Sequence, residues 1–210
     1  GSNIYCLDVN YGGVLIIWDR IFGTFRPETD KIDIVYGLIY NQPSFNPIYL
    51  QSFYTGYVVE KFRRFESWAD KFRAVVWGPS WEPGSPRLGD ESTKVDVTEQ
   101  LREKYDVKLP AWCNLYLVVH YSVVLYGFFE LSAKYMGMTP ISVLIFVAYI
   151  IASLTIIGML FDNSKYAPVL EVLRCSALAF LTRAVASPGV GTILQTFYVM
   201  SAMFWCLYTL

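Results

Sequence analysis

Four long stretches of this chain carry almost no charge, and they decide what it can fold into. Ala111–Phe129, Tyr135–Phe161 and Gly191–Leu210 contain no Asp, Glu, Lys or Arg, and Tyr166–Ala186 contains only Glu171, Arg174 and Arg183. About 20 apolar residues in an α-helix cross the hydrocarbon of a bilayer, where a helix satisfies its own backbone hydrogen bonds. The reading is therefore an all-α, polytopic membrane protein with about four transmembrane helices over 111–210. Glu171 and Arg174 stand three residues apart on one helical face, so they can neutralise each other, either as a structural pair or as a functional one.

The rest of the chain is of a different kind. Of its 17 basic and 18 acidic residues, only Lys134, Lys165, Arg174 and Arg183, and Glu130, Asp162 and Glu171, follow Pro110. Residues 1–47 alternate short apolar runs with breakers: Asn10-Tyr11-Gly12-Gly13 marks a turn, Val14–Trp18 is too short to span, Ile32–Leu38 is a short extended segment, and Asn41–Pro47 is loop. Residues 48–110 open with a basic, aromatic-rich amphipathic helix or helix pair over Ile48–Trp77. That stretch suits either a membrane interface or packing on the rest of the domain. Gly78–Gly89 is rich in Pro and Gly and expected to be irregular. A short helix fits near Val97–Tyr105. A net charge of −1 argues against a nucleic-acid partner. Cys6, Cys113, Cys175 and Cys206 have no CxxC spacing and read as buried thiols. No secretory h-region opens the chain.

Metal chemistry has few residues to draw on. His120 is the one histidine. A single imidazole in an apolar helix reads as a hydrogen-bonded packing residue, because a protein metal site needs three or more ligands close together. The HExxH, GxSxG and P-loop patterns are absent.

A resemblance goes further. Asn10-Tyr11-Gly12-Gly13 followed by Trp18-Asp19-Arg20-Ile21-Phe22-Gly23-Thr24-Phe25 resembles the stretch that follows the last histidine box in the fatty acid hydroxylase/sterol desaturase superfamily. Asn3–Asp8, Ile34–Leu38, Phe45–Ile48, Gly78–Gly89, Ile157–Asp162 and Leu170–Cys175 narrow the resemblance to its alkylglycerol monooxygenase family. The resemblance implies a multi-pass enzyme of the endoplasmic reticulum membrane. Such an enzyme hydroxylates, and so cleaves, the ether bond of alkylglycerols with O2, a di-iron centre and tetrahydrobiopterin. Its partners would be the lipid bilayer and an ether-lipid substrate. It also implies that these residues are the C-terminal part only, that the histidine boxes lie upstream, and that the chain alone binds no cofactor and is inactive. No catalytic residue or metal ligand carries over. Asn10, Tyr11, Trp18 and Asp19 lie nearest in sequence to the boxes. For Asp19 two roles stand open: accepting a hydrogen bond from a ligating imidazole, or pairing with Arg20 or capping a helix. The competing readings are a non-catalytic membrane scaffold and another lipid or sterol hydroxylase of the superfamily.

Overall fold

The computed structural model describes residues 2–29, 33–90, 97, 104–185 and 188–209. Among the described residues every regular element is helical, in keeping with the all-α expectation. Seven α-helices follow one another: α1 (Ile17–Ile21), α2 (Pro47–Arg64), α3 (Trp68–Val76), α4 (Ala111–Lys134), α5 (Pro140–Phe161), α6 (Ala167–Val185) and α7 (Pro188–Thr209). They form two compact units, one of residues 1–43 and 52–105, the other of 44–51 and 106–210.

In the first unit, polar side chains do the work of missing secondary structure. Residues 33–37 lie alongside Ser2 and Asn3 without forming a strand: Ser2 N donates to Val35 O at 2.7 Å, and Asn3 Oδ1 accepts from Val35 N at 2.7 Å. The Ile48–Trp77 region is a helix pair, α2 and α3, broken at Phe65–Ser67. The Gly78–Gly89 loop is irregular but closed on itself. Gly78 N donates to Arg87 O at 3.0 Å and Gly89 N to Pro86 O at 2.8 Å. Gly89 has φ +89°, and a Cβ there would meet Ser80 Cβ at 2.6 Å, so only glycine fits. Lys61 of α2 is buried and donates to the carbonyls of Pro79 and Trp81, which ties the loop to the helix. Loss of hydration holds that ammonium below its usual pKa, with the Glu82 carboxylate opposing the shift. The helix expected near Val97–Tyr105 falls largely outside the described residues.

The second unit is a bundle in which α4, α5, α6 and α7 run alternately up and down. Cys113 at the start of α4, Leu160 at the end of α5, Ala167 at the start of α6 and Trp205 near the end of α7 share one buried cluster at one end. Among the described residues, three helices are long and apolar enough to cross a membrane: Ala111–Gly137, Pro140–Phe161 and Gly189–Tyr208. They are consistent with the expected polytopic all-α membrane protein. The stretch expected as the third span does form a helix, α6, which carries Glu171 and Arg174. Both charges are buried within the bundle. Pro140 opens α5 behind a Thr139 cap whose hydroxyl accepts from Ser142 N at 3.3 Å. The same helix ends at Asp162, whose carboxylate accepts from Ser44 Oγ at 2.6 Å and Phe45 N at 2.8 Å. A Cβ on Gly158 would lie 2.3 Å from Phe45 O, so this glycine is what lets segment 44–46 lie flat on α5. Between α4 and α7, Trp112 packs edge-on against Phe204 and Tyr208 at 5.3 and 5.5 Å, and Tyr116 against Trp205 at 5.6 Å. Aromatic pairs of this kind contribute roughly 0.5–1.5 kcal/mol each beyond their buried area.

Candidate functional site

The cysteines form no disulfide, as expected, but Cys206 is exposed, which corrects the reading of all four as buried. It stands on the outer side of α7 in a shallow apolar groove shared with α6.

The candidate residues of the N-terminal turn are brought together. Asp19 is buried, and its Oδ1 accepts from Tyr11 N at 2.8 Å and Thr24 Oγ1 at 2.7 Å, while Oδ2 accepts from Gly12 N at 2.7 Å. The Thr24 hydroxyl bond holds the carboxyl below its usual pKa; desolvation opposes, and the Gly12 and Tyr11 amides add to the lowering. Arg20 does not pair with Asp19; its guanidinium lies over the Phe25 ring at 4.7 Å. Asn10, at φ +56°, mimics a backbone partner by accepting from Arg26 N at 3.0 Å and donating to Arg26 O at 2.8 Å. Asn10 and Asp19 thus fasten the turn from inside, whereas Tyr11 and Trp18 point outward. Trp18 stacks on Phe22 at 6.2 Å, and with Val14, Leu15, Ile17 and Ile21 these rings form an exposed apolar face.

The densest polar cluster lies inside the bundle, contributed by all four helices. Arg174 of α6 forks onto Glu171 one turn earlier, with Nε donating to Oε2 at 2.8 Å and Nη2 to Oε1 at 2.6 Å. Nη2 also donates to Nδ1 of His120 on α4 at 2.8 Å, and Nη1 to Ser153 Oγ on α5 at 3.4 Å. Tyr116 Oη donates to Glu171 Oε1, and the Cys175 thiol lies 3.5 Å from the same oxygen. Arginine only donates, so Nδ1 of His120 must accept and the proton of the neutral ring sits on Nε2. That Nε2–H donates to Ser201 Oγ on α7 at 3.1 Å, and the Ser201 hydroxyl donates to Phe197 O at 2.9 Å. The imidazole is held between the Tyr116 and Phe197 rings, 4.1 and 4.5 Å away. A Tyr149–Tyr198 hydroxyl pair at 3.3 Å lies close by.

His120, Glu171 and Cys175 bring three potential ligand atoms within 4.8 Å of one another. They do not fit a di-iron centre, which needs several imidazoles or carboxylates, and they already face a cation. Arg174 Nη2 stands 2.6 Å from the carboxylate, 2.8 Å from the imidazole nitrogen and 3.9 Å from the thiol. Sequence reasoning paired Glu171 with Arg174 and read His120 as a hydrogen-bonded packing residue; both are as found. It missed that the three meet, together with Tyr116, Ser153, Cys175 and Ser201. The available signal was that polar groups in hydrocarbon seek one another.

The architecture and cluster define a helical membrane domain knotted by one internal ion pair. The family model described as "Alkylglycerol monooxygenase C-terminal domain" matches residues 113–203. The chain as a whole matches the C-terminal part of proteins named alkylglycerol monooxygenase. It is 34% identical to the one from Danio rerio over 214 residues, covering 99% of this chain and 47% of that protein. For Homo sapiens the values are 33% over 209 residues, 98% and 46%, and for Caenorhabditis elegans 27% over 218 residues, 96% and 43%. The chain thus spans about half the length of the curated relatives it matches. No solved structure matches it.

Proposed function

We propose that this chain is the C-terminal part of a membrane monooxygenase that cleaves the ether bond of alkylglycerols, consuming O2 and tetrahydrobiopterin at a di-iron centre in the endoplasmic reticulum membrane. The observation that carries the reading is end-to-end similarity to relatives of that name, joined to a domain-family match that coincides with the bundle. The iron is assigned to histidine boxes outside these residues, because the one imidazole here has both nitrogens engaged. In this reading the chain alone holds no iron and is inactive. Its own contribution is an apolar helical scaffold in the bilayer, where an ether lipid is dissolved, and a rigid turn over residues 10–26. Asn10 and Asp19 hold that turn in shape, and Tyr11 and Trp18 face the catalytic half; the second lone pair on Asp19 Oδ2 is the acceptor it would offer an imidazole there. The test is fatty-aldehyde release from an alkylglycerol by membranes bearing the complete protein, with and without tetrahydrobiopterin. Release that needs the pterin is expected. A membrane-inserted complete protein that releases none would leave the scaffold reading, and release from a sterol or fatty-acid substrate alone would move it to another branch of the superfamily.

A further inference from the structure

Helix α3 is built inside out. On a helix that packs on its own domain, apolar residues turn inward and charges outward. Here Trp68, Phe72, Val75 and Val76 form one stripe at the spacing i, i+4, i+7, i+8, and they are 77%, 66%, 56% and 51% exposed. Ala74, on the opposite side, is 4% exposed, and beside it Asp70 is half-buried, its carboxylate neutralised by Arg73 at 2.8 Å. A cation borders the stripe: Lys71 Nζ stands 5.0 Å from the Trp68 ring centre and 5.5 Å from that of Phe62, while Arg73, paired with Asp70, lies over Trp77 away from the stripe. With Arg63 and Arg64 just upstream, the segment 63–73 has four basic residues against Glu66 and Asp70.

From this geometry we propose that α3 lies in the plane of the bilayer that the same chain spans. Its Trp68–Phe72–Val75–Val76 stripe sinks into the boundary between headgroups and acyl chains, and Lys71 meets lipid phosphates. Three observations favour lipid over a protein partner. The stripe ends in an indole, the ring suited to the headgroup level. The charge beside it is the cation of Lys71, matching an anionic surface. The chain that carries it is fastened to a bilayer by helices long enough to cross one. The proposal stands whether or not the chain belongs to an active monooxygenase.

Spin labels distinguish the possible surroundings. Phe72→Cys and Val75→Cys are labelled separately in the complete chain, with exposed Cys206 replaced by Ser, and reconstituted in phosphatidylcholine–phosphatidylserine vesicles. Both sites are exposed, so neither substitution removes a buried contact; the unsubstituted parent reports any labelling of the buried thiols. Collision with oxygen, which concentrates in lipid, is compared with collision with a water-soluble nickel chelate, using Glu66→Cys as the aqueous reference. The expected result is a severalfold rise in the oxygen-to-nickel ratio at 72 and 75 over 66, reduced when Lys71→Glu is added. Equal ratios at all three sites would place the stripe in water and overturn the proposal. A label at 72 immobilised and shielded from both reagents would overturn it in favour of a protein partner.

Discussion

Arg174 is the single side chain on which the bundle's interior most depends. Replacing it with Met keeps most of its volume and apolar stem but removes two bonds to Glu171, one to His120 and one to Ser153. Glu171 is then a fully buried carboxylate with Tyr116 and Cys175 beside it and His120 Nδ1 3.8 Å away, but no cation. Breaking a buried ion pair from one side costs about 3–5 kcal/mol, because the surviving charge stays out of water. Glu171→Leu alone should cost about the same for the mirror-image reason. Removing both leaves no stranded charge. What remains is a His120 nitrogen, a Ser153 hydroxyl and the Tyr116 hydroxyl without their former partners, neutral groups whose loss of a bond costs roughly 1–3 kcal/mol at most each. The double variant should therefore be less destabilised than either single one, with non-additivity of about 3 kcal/mol or more, at the upper end for coupled residues. Reversible unfolding of the chain in mixed micelles, by titration with a denaturing detergent, reads all three differences. A double variant whose cost equals the sum of the singles would refute the reasoning. So would an Arg174→Met variant that loses less than about 1 kcal/mol, for then the guanidinium reaches water.

Gly158→Ala should lift segment 44–46 from α5, since the new Cβ would sit 2.3 Å from Phe45 O; overpacking of this kind costs about 1–3 kcal/mol, and faster amide exchange at Phe45 would report it. The Asp19 carboxyl titrates below its usual value in the folded turn, so its stabilising contribution is present above about pH 3.8 and is lost as pH falls through its folded value. The protection of the Tyr11 and Gly12 amides, measured against their intrinsic exchange rates, should fall over that acidic window, and Asp19→Asn should abolish that fall. Lys61→Met strands the carbonyls of Pro79 and Trp81, for roughly 1–3 kcal/mol. The Gly78–Gly89 loop should then be cut faster by protease while the bundle keeps its helical signal.

The helices of the bundle were legible because bilayer-length apolar runs leave little alternative, and the breakers at Thr139-Pro140 and Asp162–Lys165 mark the ends of α5 plainly. The interior of α6 was not, since the sequence pairs Glu171 with Arg174 but does not say that Arg174 also reaches His120 and Ser153. The Asp19 turn was legible as a motif but not as a set of bonds: nothing in the spacing of Tyr11, Gly12, Asp19 and Thr24 says that one carboxylate collects them. The outward stripe of α3 shows the limit most clearly. Periodicity locates Trp68, Phe72 and Val75 on one face, and only the packing of Ala74 and Asp70 reveals which way that face looks.

The most direct test of the account is the metal content of the purified 210-residue chain, measured by plasma mass spectrometry after exposure to ferrous iron and to zinc, alongside an Arg174→Gly variant. The account holds that Arg174 is the resident cation of the His120–Glu171–Cys175 cluster and that the iron lies elsewhere in the complete protein. The wild-type chain should then retain negligible iron or zinc, with any binding confined to the variant. Stoichiometric metal on the wild-type chain, lost on His120→Ala, would contradict it and make the cluster itself the metal centre.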